Sequence, residues 1–283
     1  MTLPRLFALL SLLPACLQAG WLFPDRELEV IMNTETTQEG RLYPAPTPEK
    51  PVYYIAFDMG YKELGGIMGG DKVPTRKQMN DVLVKVLAKQ GYLPASNKNP
   101  PTQALIWYWG SLYVEEMPSF DVNMPARQRN LGQMLRFLGG GKLNMLETDP
   151  FSTAPYTGIA GINLLSADQG NLLEVAKDDL YVISIGSYSF ESMKTKTPKC
   201  LWRTKISAPS RGFVMAETLP KVAVLAGPNI GKETSQPVWV SVDSRLKAEV
   251  KIGDFDFSQA TTQKELPTKA EEKPAKTEKP ASK

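Results

Sequence analysis

The chain contains no histidine. A serine or cysteine nucleophile therefore has no imidazole base, and a zinc or iron site has no imidazole ligand. Ser-His-Asp, Cys-His and histidine-ligated metal chemistry are excluded together. Cysteine is nearly absent as well, occurring at Cys16 and Cys200. If Cys16 leaves with a leader segment, no intramolecular disulfide can form and stability must come from a packed core. Charge of one sign is also lacking: 33 Lys and Arg stand against 30 Asp and Glu, a net of +3. That balance is far from the basic field that gathers nucleic acid, so no nucleic-acid partner is expected.

What is present suits a folded domain. Hydrophobic residues make up 42% of the 283 and charged residues 22%, which leaves ample material for a core. The N-terminus reads "MTLPRLFALLSLLPACLQAG": Arg5, an apolar stretch over 6–13, the helix breaker Pro14, then small residues. That is the layout of a secretory signal peptide, and the apolar stretch is too short to span a bilayer. Residues 1–19 are therefore expected to be a signal peptide cleaved after Ala19, and the protein to be periplasmic or secreted. The alternative is a membrane-anchored lipoprotein in which "LPAC" marks Cys16 for lipidation.

Beyond the leader, residues 20–50 are rich in Thr, Glu and Pro and read as an extended arm, with "LEVIM" an edge strand. Residues 51–258 are expected to form one α/β (α+β) domain, a single mixed β-sheet of about four to six strands with flanking helices. "VYYIAFD" is a buried strand, and the glycine-rich "MGYKELGGIMGGDKVP" a loop. "TRKQMNDVLVKVLAKQG" is a helix with Met79, Val82, Leu83, Val86 and Leu87 on one face, Thr75 as its cap and Gly91 as its stop. "ALIWYWGSLY" supplies a central strand. Residues 117–179 interrupt the pattern as a helical insertion, with Pro125 at one helix start and Ser166 capping another. "LYVISIGSYSF" and "CLWRTKIS" read as a hairpin, and "PVWVSV" and "LKAEVKI" as two last strands. Residues 259–283 repeat Lys, Glu, Pro, Ala and Thr with little apolar content and are expected to be a disordered tail.

The sharpest chemical pattern is "KVAVLAGPNIGKET". Ala226, Gly231 and Lys232 fit the start of a phosphate-binding loop, but Glu233 stands where a hydroxyl must reach magnesium, and Thr234 is one position out of register. Asp243 follows too closely for a helix and a returning strand to intervene. The stretch reads instead as a helix capped by Thr218, carrying Pro220 in its first turn and ended by Gly227 and Pro228. "FDMGY" places Asp58 where it turns the chain at a strand end. The pairs Glu115 with Glu116 and Asp178 with Asp179 could supply acid and base, yet strand neighbours point to opposite faces, so they read as solvated ends. The aromatics of "WYWGSLY" belong to the two packed faces of a sheet. Cys200 reads as a small packed residue.

The order "VYYIAFD", "MNDVLVKVLAKQGYLPA", "ALIWYWGSLY", "LYVISIGSYSF" with "CLWRTKIS", then "ETLPKVAVLAGPNIGKET" resembles an uncharacterised family of exported bacterial proteins. It is similar in outline to envelope lipoproteins of unknown function, with the insertion at 117–179 lying outside that pattern. The resemblance brings no catalytic motif, and no catalytic, cofactor-binding or metal-binding residue is assigned. The expectation is a non-enzymatic structural or interaction module of the cell envelope, its partner another envelope protein or the cell-wall surface. Two alternatives stand beside it: a hydrolase using carboxylates around Asp58 and the loop Gly60 to Gly70, and a small-ligand carrier with a deep apolar cavity.

Overall fold

The computed structural model describes residues 27–65, 71–117, 127–145, 165–195 and 197–243. The leader with Cys16, the segment 66–70, Pro125, the strand expected at "LKAEVKI" and the tail 259–283 lie outside these residues. The described strands are β1 (Glu27–Thr36), β2 (Val52–Leu64), β3 (Tyr92–Pro94), β4 (Gln103–Leu112), β5 (Glu116–Met117), β6 (Arg127–Gln128), β7 (Leu180–Ser189), β8 (Cys200–Pro209) and β9 (Val238–Asp243). Seven of them form one mixed sheet in the order β3-β2-β4-β7-β8-β1-β9, and β5 pairs with β6 apart from it. β2 runs parallel to β3 and β4, and the other neighbours in the large sheet are antiparallel.

The parallel pair follows from chain order. A single turn, α1 (Gln38–Arg41), follows β1, and between β2 and β4 lies α2 (Arg76–Lys89), long enough to carry the chain back across one face. Thr75 Oγ1 accepts from Gln78 N at 3.1 Å, and Gly91 follows the helix at φ +85°, so cap and stop stand where the sequence puts them. Met79, Leu83, Val86 and Leu87 are buried, and Val82 packs against them partly buried.

Alternation in the strands divides the core in two. Tyr181, Ile183 and Ile185 of β7 join Trp107 and Trp109 of β4 under α2 and α6 (Met215–Ala226). Leu180 and Val182 point to the other face, where α3 (Leu131–Leu138) and α4 (Ala167–Val175) cover Leu112 and Ile31. The insertion thus roofs one face of the sheet. Ser166 caps α4 with a reciprocal pair, its hydroxyl accepting from Gln169 N and Gln169 Oε1 accepting from Ser166 N.

Five expectations change, the first being size: the sheet holds seven strands among the described residues rather than about four to six. "LEVIM" belongs to a ten-residue strand paired on both sides, to β8 and β9, rather than to an edge. Its alternation of buried Leu28, Val30 and Met32 with Ile31 and Asn33, also buried, serves both faces. β2 continues through "MGYKEL" to Leu64 after a register shift between Asp58 and Tyr61, a bulge that absorbs Gly60 at φ +70°. The hairpin of β7 and β8 contains one helical turn, α5 (Phe190–Met193), capped by Ser189. Finally, α6 starts at Met215 after Val214, which leaves Thr218 buried inside it and Pro220 in its body. Pro220 cannot bond back to Ala216, and Gln78 Nε2 donates to that carbonyl at 3.5 Å instead.

Candidate functional site

At one end of the sheet, β4 and β8 finish and β7 begins, since Leu112 pairs with Leu180 and Leu180 with Pro209. The loops there enclose a cavity of about 560 Å³. Its lining draws Tyr113, Val114 and Glu116 from the exit of β4, Lys177, Asp178 and Asp179 from the entry of β7, Ser210 to Phe213 from the exit of β8, and Asp71 from before α2. Tyr181, the second residue of β7, forms part of the floor.

These loops are held by named bonds. Asp179 Oδ1 accepts from Val114 N at 2.7 Å, and the Asp179 carbonyl from Ser210 N at 2.9 Å, so one residue joins three strand ends. Tyr181 Oη lies 3.1 Å from Asp71 Oδ2 and 2.9 Å from the Phe213 carbonyl, and the Lys72 carbonyl accepts from Ala216 N at 2.9 Å. Asn130 Nδ2 donates to the Tyr113 carbonyl at 2.7 Å while its Oδ1 accepts from Glu115 N at 3.0 Å. Asn130 thereby ties the insertion to the exit of β4, and within the insertion Gln128 Nε2 donates to the Ala176 carbonyl at 2.8 Å.

Both tyrosines of the lining report on the local field. Burial pushes the Tyr181 phenol up, and the nearby Asp71 carboxylate pushes it further. Burial likewise raises Tyr113; Ser111 offsets part of the rise, and Asp71, Glu63 and Asp179 add to it. Burial is the larger cause in both, and Asp71 is the one carboxylate of the lining that acts on both phenols. The Lys177 ammonium bonds Glu174 at 2.6 Å.

The residues singled out in the sequence divide sharply. Asp178 and Asp179 both line the cavity, and of Glu115 and Glu116 only Glu116 does. Glu115, Asp178 and Asp179 lie outside the strands and Glu116 opens the two-residue β5, so in neither pair are both residues neighbours within one strand and the opposite-faces rule does not govern them. Asp58 lies elsewhere. Within the β2 bulge its carboxylate accepts from Gly60 N and Asn80 Nδ2, each at 2.7 Å, and pairs with Arg76 Nε. Arg76 also donates to the Asp58 carbonyl at 2.6 Å, and Asn80 Oδ1 accepts from Trp107 Nε1 at 3.0 Å. Asp58 thus fastens α2 to β2 rather than ending the strand.

The glycine-lysine stretch is a fold joint as well. Gly227–Asn229 form a 3-10 turn, and Gly231 at φ +74° lies so close to Tyr92 that a Cβ there would meet its hydroxyl at 2.3 Å. Glu233 pairs with Arg41 at 2.6 Å, which raises the Arg41 guanidinium and lowers the Glu233 carboxyl. Thr234 N bonds the Thr34 carbonyl at 3.2 Å, and Thr234 Oγ1 accepts from Lys142 Nζ at 3.2 Å. In "WYWGSLY", Trp107 and Trp109 enter the core and Tyr113 reaches the cavity. Cys200 is half-buried, its thiol pushed up by burial.

Sequence reasoning missed Asp71, Tyr181, Arg211 and Phe213. They come from separate loops with no spacing pattern in common, and only the strand order brings them together. Among the described residues no group of acids and cysteine is arranged to hold a metal ion, and no helix is long and apolar enough to cross a membrane.

No family model matches the chain, and no curated protein does. Among solved structures it is similar to a PDZ domain protein from Parabacteroides distasonis, at 12% identity and a TM-score of 0.35 over 76% of this chain. The chain spans 39% of that protein's length. It is also similar to a DUF4136 family protein from Bacteroides thetaiotaomicron, at 9% identity and a TM-score of 0.29, over 70% of this chain and 91% of that one. No residue role is carried over from either.

Proposed function

We propose that the chain is a non-enzymatic interaction module of the cell envelope, and that the pocket at the end of β4, β7 and β8 is the surface it offers a partner. The observation that carries this reading is the use the fold makes of the pocket's acids. Asp179 holds the Val114 amide, and Asp71 shares the one Tyr181 hydroxyl proton with the Phe213 carbonyl, so both carboxylates help set loop position. A catalytic acid or base must exchange its proton with substrate. Loops fixed in this way on a rigid sheet form a shaped, charged concavity of the kind that recognises partners. Export, or anchoring through Cys16, belongs to the same proposal and rests on the leader composition.

A second reading moves hydrolysis from Asp58 and the loop after it to this pocket. Glu116 and Asp178 favour it, because among the described residues neither side chain is hydrogen-bonded or ion-paired, and both line the cavity. The small-ligand carrier loses ground, since six of the twelve lining residues are charged where that reading expects a deep apolar cavity. Crosslinking in the native host followed by pull-down, with wild type and a Glu116→Gln/Asp178→Asn double variant, separates the two main readings. The module reading expects a specific partner whose capture falls in the double variant, with no turnover of chromogenic esters or glycosides. Turnover by wild type that the double variant abolishes would replace it with the hydrolase.

A further inference from the structure

The geometry points to a basic polypeptide segment as the pocket's ligand, with a lysine or arginine side chain entering between the aromatic floor and the acidic rim. This rests on the interaction-module reading and gives the partner's contact surface a chemistry.

Size is the first argument. A cavity of about 560 Å³ falls within the range of small-molecule sites and exceeds what one methyl or water would fill. It can take a long side chain together with some of its backbone.

Charge is the second. Asp71, Glu116, Asp178 and Asp179 line the cavity against Lys177 and Arg211. Four carboxylates against two cations leave the lining a formal net of two negative charges, and Lys177 also pairs with Glu174, which is not part of the lining. A carboxylate offers about four acceptor sites, so the single bonds to Val114 N and the Tyr181 hydroxyl leave Asp179 and Asp71 able to accept more. Among the described residues, the side chains of Asp178 and Glu116 accept no hydrogen bond. An anionic ligand would meet this rim with like charge, and a neutral one would leave desolvated carboxylates without a counter-charge.

The third argument distinguishes an organic cation from a metal ion. The acids do not close into a coordination group, and Tyr113, Tyr181 and Phe213 supply ring surface beside them. Spaced carboxylates around aromatic walls suit an extended alkyl-ammonium or guanidinium, whose stem packs on the rings while its head meets the acids. Burial is the main cause that raises both tyrosines, and Asp71 of the lining adds to it in each.

The test is isothermal titration of the full chain with the capped tripeptide Gly-Lys-Gly and its analogues carrying arginine, norleucine or glutamate in place of lysine. Norleucine preserves the stem without the charge. The lysine and arginine peptides should bind about tenfold or more tighter than norleucine, and the glutamate peptide more weakly still. Glu116→Gln/Asp178→Asn should lose that preference while keeping the wild-type melting temperature. The charge reversal Glu116→Lys/Asp178→Lys should invert the preference toward glutamate. Equal binding of lysine and norleucine peptides, or lysine binding that both variants leave unchanged, would overturn the inference. If no peptide binds while a partner still crosslinks to this pocket in the native host, the cationic chemistry is wrong and the module reading stands. If peptides bind as expected but no partner is captured there, the module reading fails and the binding chemistry survives.

Discussion

Replacing Asp58 with alanine should destabilise the fold by about 3 kcal/mol, whereas Arg76→Ala should cost about 1 kcal/mol or less. The magnitudes follow from burial. Asp58 is 12% exposed and accepts from Gly60 N and Asn80 Nδ2, and hydrogen bonds to a charged group contribute about 1.5–3 kcal/mol each. Taking both near the lower end gives the 3. The ion pair adds little, because the Arg76 side chain is 62% exposed and exposed pairs measure about 0.2–1 kcal/mol. Asn80 would lose the partner that orients it toward Trp107, so an indole in the core shares the effect. Urea unfolding followed by tryptophan fluorescence reads both variants. A loss under about 0.5 kcal/mol for Asp58→Ala, or a larger loss for Arg76→Ala, would refute the assignment of the carboxylate as the fastener of α2 to β2.

Further outcomes can be checked alongside. Gly231→Ala should destabilise by about 1 kcal/mol or more, since its φ is +74° and the new Cβ would press on Tyr92, while Lys232→Ala should stay within about 0.5 kcal/mol; chemical denaturation decides both. Tyr54→Phe should stabilise slightly, as the Tyr54 hydroxyl is buried without a partner among the described residues, and calorimetry at pH 7 should show a higher melting temperature. Burial also raises the Tyr54 phenol, so the folded state holds its proton longer than the unfolded chain and that contribution to stability is lost as pH rises above the ordinary tyrosine range. The same phenylalanine variant should therefore lose less stability than wild type between neutral pH and pH of about 11. Intact mass of the mature protein should begin at Gly20 under the soluble reading, and diacylglycerol on Cys16 would mark the lipoprotein instead.

The strands and helices that carry strong local signals were readable from sequence. Thr75, Gly91 and Ser166 act on a helix end through neighbours within a turn, and each stands where the pattern places it. The start of α6 was not readable, because Pro220 sits better in a first turn than in a helix body. Its penalty is eased by Gln78 from another helix, a contact that no local rule contains. β1 looked like an arm because its flanks are polar, and only β8 and β9 on either side make it internal. The pocket was half legible. Glu116, Asp178 and Asp179 drew notice as acid pairs, but the strand rule set them aside. Asp71, Tyr181, Arg211 and Phe213 carry no pattern until the sheet order joins their loops.

The central claim is that the cavity at this sheet end is a partner-binding surface. Its most direct test is site-specific photo-crosslinking in the native host from position 178, on the pocket, and from position 98, on the exposed loop before β4. The account predicts one discrete adduct from position 178 and none from position 98. Adducts of equal yield from both positions, or from neither, would contradict it.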